Sequence, residues 1–217
     1  MSGQCCGTDC AGGNSGLRDS RYRRVLWIAL VVNAVMFLIE IGAGIASGSS
    51  SLLADALDFL GDAGNYGISL FVFSMALRAR ASAALLKGLV MGGFGLWVIG
   101  STIWHAAMGT LPDAGTMGIV GFAGLVANAS VFALLFAYRA GDSNMRSVWI
   151  CTRNDVIGNI AVLLAAAGVF GAKAGWPDLL VAAVMAGLAL QGAFVVIAHA
   201  RTEMRRETGK NASPSHA

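Results

Sequence analysis

Six stretches of this chain stay predominantly apolar for longer than the ~20 residues needed to cross a bilayer, and that repetition constrains the fold more than any other feature. They run from Val25 to Ala46, Leu52 to Leu77, Gly88 to Met108, Thr116 to Tyr138, Val148 to Phe170 and Leu179 to Ala200. In hydrocarbon an isolated segment can satisfy its backbone N–H and C=O groups only internally, so each stretch is expected to be a helix. Composition agrees: 12% of the 217 residues are charged and the mean hydropathy is +0.68, against roughly 25% charged in a soluble domain. The 29 glycines suit helices that approach closely in a membrane. The fold class expected is all-α, one six-helix transmembrane bundle.

The basic residues orient that bundle. Arg18, Arg21, Arg23 and Arg24 precede the first span, Arg78, Arg80 and Lys87 lie between the second and third, and Arg139 and Arg146 lie between the fourth and fifth. Arg201, Arg205, Arg206 and Lys210 follow the sixth, and Lys173 alone falls between spans on the other side. The positive-inside rule then puts both termini in the cytoplasm. The net charge of +3 reflects this topology and implies no nucleic acid partner. The head of the chain lacks the short apolar core and cleavage site of a secretory signal, so the first span is expected to be retained. Residues 1–24 read as a cytoplasmic tail, 25–200 as the membrane domain and 201–217 as a short disordered cytoplasmic tail.

Ionisable groups at membrane depth cost roughly 2.5–3.5 kcal/mol on insertion scales and therefore invite a functional explanation. In SSSLLADALDFLGDAGNYG the acids Asp55, Asp58 and Asp62 are spaced i, i+3 and i+7, within about 60° of arc on one helical face. In the fifth span Cys151 and Asp155 share a face at i and i+4, with Asn159 one turn further along. Two such helices face to face could close four ligands around an ion. Oxygen with thiolate sulfur suits Zn²⁺ or a similar borderline metal, whereas Ca²⁺ and Mg²⁺ take oxygen alone. A single buried Asp can equally serve as a hydrogen-bonder between helices. Stacked carboxylates, however, repel one another unless a cation or protons neutralise them, which fits a metal that exchanges with protons.

The stretch from Asn33 through Glu40 and Gly44 to SLLADALDFLGD, the six-helix topology, the fifth helix and the Trp176, Pro177, Asp178 cluster together resemble the cation diffusion facilitators. The resemblance implies efflux of a divalent transition metal, with Asp58, Asp62, Cys151 and Asp155 in the positions of the transport site. Asp55, Asn154 and Asn159 are possible accessory ligands. Family members usually have His where Cys151 stands, so metal identity is open among Zn²⁺, Cd²⁺ and Co²⁺, with Zn²⁺ the first expectation as cargo and no resident cofactor. Members also usually carry a cytoplasmic ferredoxin-like domain after the sixth helix. This chain ends at Ala217 and reads as a minimal member without one. The homodimer the family implies would then rest on helix faces, and Gly88, Gly92, Gly93, Gly95 and Gly100 of the third span offer a surface. The expected setting is the bacterial inner membrane, with metal ion, protons and lipid as partners.

Lesser features and rival functions complete the reading. Cys5, Cys6 and Cys10 of CCGTDC lie on the reducing side, where they could capture soft metal or be incidental. Glu40 could form hydrogen bonds near the site without being a ligand. His105 and His199 read as interfacial residues, and Asp178 as a cap for the sixth helix. Asp55 and Asp58 also have the Asp-x-x-Asp spacing of an intramembrane Mg²⁺-dependent transferase. Such an enzyme needs cations beside its carboxylates for phosphate, and the second span has none before Arg78. A passive channel would want weaker, multi-site binding than a closed four-ligand cage.

Overall fold

A computed structural model describes residues 20–72, 77–137 and 143–212, with the side chains of 71–78, 80, 143–154 and 206–212 outside the description. The described chain is six helices: α1 (Ser20–Ser47), α2 (Ser50–Gly67), α3 (Leu77–Met108), α4 (Ala114–Phe136), α5 (Ser143–Ala172) and α6 (Trp176–Ala212). Five of them contain a stretch long and apolar enough to cross a membrane. The exception is α2, whose three acids lower its hydropathy although its length of about 27 Å, at ~1.5 Å per residue, still approaches the bilayer core.

The helices differ from the expected spans at their ends. α3 starts at Leu77, not Gly88, and α6 continues to Ala212, so residues 201–212 are helical where a disordered tail was expected. Hydropathy marks where a helix leaves lipid, whereas the backbone can stay helical through Arg- and Glu-containing sequence beyond it. The second span is also not one uniform helix: after Gly67 it shifts to a π-helical turn over Ile68–Val72.

Two tight reversals organise one end of the bundle. α1 closes at Gly48, whose φ of +69° only glycine adopts freely, and Ser49 N–H returns 3.0 Å to the Gly44 carbonyl. Ser49 then caps α2, its hydroxyl accepting from Leu52 N–H at 3.2 Å. α3 ends in the same way at Gly109, and Asp113 caps α4 by accepting from Thr116 N–H at 3.0 Å. Its bonds to Thr116 hold the exposed Asp113 carboxyl below its ordinary range.

α2 packs against α1, α3, α5 and α6, and it buries twelve of its eighteen residues. α4 buries six of its twenty-three, so α2 is the axis and the others form its shell. The glycines of α3 serve that packing. A methyl group on Gly88 would meet Ile197 at 2.8 Å, and one on Gly95 would meet Leu190 at 2.9 Å, both on α6. Gly88, Gly92 and Gly95 therefore lie against the chain's own sixth helix, whereas Gly93 and Gly100 have open space. The expected dimer surface is largely an internal seam.

Candidate functional site

The acids of α2 point inward because every face of that helix meets another. Asp62 is buried, Asp58 is half-buried, and Asp155 of α5, itself buried, lies within hydrogen-bonding reach of both. Tyr66, one turn beyond Asp62, reaches the same carboxylate. The two helices singled out by the sequence thus bring Asp155 against each of Asp58 and Asp62, three of the four expected ligands, in pairs. The fourth, Cys151, occupies α5 one turn before Asp155; its side chain and that of Asn154 lie outside the described residues, as do Cys5, Cys6 and Cys10. Among the described residues no three His, Cys, Asp or Glu side chains stand closed around a common point. Asp58 and Asp62 instead each meet Asp155.

A cation of the chain's own also attends this cluster. Lys87 lies within α3, because that helix begins eleven residues before the expected span. Its charge acts on Asp58 and Asp62, and its Nζ donates to Asn65 Oδ1. Its stem crosses α2 at Gly64, where a methyl group would meet Lys87 Cδ at 3.1 Å. The sequence reading placed Lys87 in a loop and found no cation near the carboxylates; the structure corrects that ground. A single Lys inside the apolar run ALLKGLV was the available signal.

Asp55 and Asn159 belong to a separate layer. Asp55 is fully buried and adjoins Glu40 of α1, and Asn159 Nδ2 donates to the Asp155 carbonyl at 3.0 Å and, more weakly, to Asp55 Oδ1 at 3.4 Å. Glu40, read from sequence as a neighbour of the site, is fully buried in this second layer.

Asp178 stands in the first turn of α6, as a cap by charge would, but the hydrogen bonds of its carboxylate all go to the start of another helix. Its carboxylate accepts from Ser49 Oγ (2.7 Å), Ser50 N–H (2.8 Å), Ser51 N–H (3.0 Å) and Ser51 Oγ (2.6 Å), and so neutralises the start of α2. The negative charge is placed where the α2 dipole is positive, and it fixes the carboxylate helix to α6. His105 makes a second brace, its Nδ1 donating to the Gly48 carbonyl at 2.8 Å, while His199 is exposed on α6.

A helical membrane bundle with an inward carboxylate cluster on its central helix defines a protein built to handle cations inside a bilayer. Comparison makes the assignment particular: residues 26–204 match the cation efflux transmembrane domain, and the chain belongs to that family. It is a multi-pass integral membrane protein. One relative, the cadmium, cobalt and zinc/H⁺-K⁺ antiporter of Bacillus subtilis, is 25% identical over 192 residues. That alignment covers 80% of this chain and 60% of the relative, so the chain spans less than two thirds of that relative's length.

Proposed function

We propose that the chain exports a divalent transition-metal cation from the cytoplasm in exchange for protons, and that Asp58, Asp62, Cys151 and Asp155 hold the cargo. The observation that carries this reading is the meeting of Asp155 on α5 with Asp58 and Asp62 on α2. The printed function of the Bacillus relative supports the same class of cargo and coupling. The distribution of basic residues supports cytoplasmic termini, and hence entry of metal from the side carrying Arg78 and Arg80. Zn²⁺ is the first cargo to test, because two or three carboxylates and one thiolate form a borderline donor set.

Charge balance gives the mechanism. Three carboxylates in a dry bundle are not left charged together, and Lys87 offsets only one of them. Protons neutralise the remainder when the site is empty, and an arriving M²⁺ displaces them. Each occupancy favours a different opening of the bundle, since a ligand shifts a conformational equilibrium only through its differential affinity for the two states.

Asp62→Ala and Asp155→Ala each remove a charged ligand with no substitute in reach. Zn²⁺ uptake into inverted membrane vesicles is expected to fall by about 100-fold or more, the scale of losing a charged contact in a desolvated site. Helicity by circular dichroism stays at the wild-type level. Wild-type uptake in both variants refutes the assignment.

A further inference from the structure

The layer one turn beyond the cargo cluster has unmet acceptors of its own. Asp55 precedes Asp58 by three residues and Asn159 follows Asp155 by four, so both lie about 5 Å along their helices on the same side of the cluster. Glu40 of α1 completes the layer, and all three side chains are fully buried. Glu40 and Asp55 lie within hydrogen-bonding reach of each other, but no N–H or hydroxyl donor meets Glu40 Oε1 or Oε2, Asp55 Oδ2 or the amide oxygen Asn159 Oδ1. The nearby Asn159 amide N–H₂ is largely committed to the Asp155 carbonyl, and the Lys87 ammonium is engaged with Asn65. Four buried acceptors in one layer without an N–H or hydroxyl partner cost stability unless a proton or a cation serves them.

Gly124 of α4 shows where they converge. A methyl group there would come within 2.4 Å of Asn159 Oδ1 and 2.6 Å of Glu40 Oε1. Those two oxygens are therefore at most about 5 Å apart, a separation that one cation can bridge with two bonds of ~2.0–2.6 Å.

We propose that Glu40, Asp55 and Asn159 form a second cation station, an oxygen-only site adjoining the cargo cluster, which receives the divalent ion as it leaves. Two carboxylates balance a divalent charge. With two carboxylates against the three of the cargo cluster and no thiolate, the station holds a divalent ion less tightly than the cargo site, while its oxygen-only donor set still accepts a hard ion such as Mn²⁺. Occupancy of either site repels an ion in the other, which promotes release from the pair. The inference rests on the α2–α5 cargo site as the neighbouring station.

The test is Mn²⁺ binding to the purified full chain in lipid nanodiscs, followed by electron paramagnetic resonance. The wild type is expected to bind two ions per chain, the second about tenfold or more weakly because the first repels it. Glu40→Gln, and independently the isosteric Asp55→Asn, should lose the weaker ion and keep the tighter one; Asp62→Ala should do the reverse. Two ions in a folded Glu40→Gln or Asp55→Asn protein, or a wild type with one ion that Asp62→Ala removes, overturns the station while leaving the cargo site standing. Loss of the weaker ion in Glu40→Gln with both ions retained in Asp62→Ala keeps the station and defeats the cargo assignment.

Discussion

Helix α2 and the shell around it bury opposite chemistry. Along α2 the residues away from lipid include Ser50, Ser51, Asp55 and Asp62, while the shell turns its largest apolar side chains outward, with Phe170 79% and Phe194 74% exposed. In water the shell would be a fault. In a bilayer it is the solvent-facing surface, and the polar axis is the part that needs explaining. Stability of the polar axis depends on specific partners, whereas stability of the shell depends on close small-residue packing such as the α3–α6 seam at Gly88 and Gly95. Substitutions on the two should therefore behave differently.

The largest expected effect on stability comes from the anchor of the axis. Asp178→Ala strips the acceptor from two backbone N–H groups and two hydroxyls at the buried start of α2. The cost is about 3 kcal/mol or more, since hydrogen bonds to a charged group contribute ~1.5–3 kcal/mol each and do not add fully. Phe194→Ala, on the outward face, should cost no more than about 0.5 kcal/mol. Thermal unfolding of the two variants in the same detergent measures the contrast. Equal melting temperatures would erase the distinction between axis and shell.

A smaller effect sharpens the electrostatic side. Lys87→Met removes the positive charge that attends Asp58 and Asp62. The empty site must then take up about one more proton to reach the same charge, and that proton leaves when metal binds. Metal titrations in buffers of different ionisation enthalpy should report about one extra proton released per ion. An unchanged count would remove Lys87 from the charge balance.

The same contrast explains what could be read from the sequence. The helix count and the α2–α5 pairing were legible because i, i+3, i+7 and i, i+4 spacings survive any packing arrangement. Asp55 was harder to place: it shares an α2 face with Asp58 and Asp62, but which neighbour it meets depends on where α1 delivers Glu40, and no spacing encodes that. Asp178 was assigned to its own helix because sequence displays local neighbours, whereas its partners Ser49, Ser50 and Ser51 lie more than 120 residues away. Lys87 was lost to a boundary error, since hydropathy began the third span one residue after it while the helix begins at Leu77.

The central claim is that metal on the α2–α5 cluster exchanges for protons. Inverted vesicles carrying the wild-type chain, loaded with a pH-sensitive dye and given Zn²⁺ outside, test it directly under an imposed gradient with an acidic lumen. Zn²⁺ uptake should accelerate with the gradient, the lumen should lose protons as the metal enters, and a protonophore that collapses the gradient should slow the flux. Zn²⁺ flux that ignores the gradient and moves no protons would contradict the account and make the bundle a passive pathway for cations.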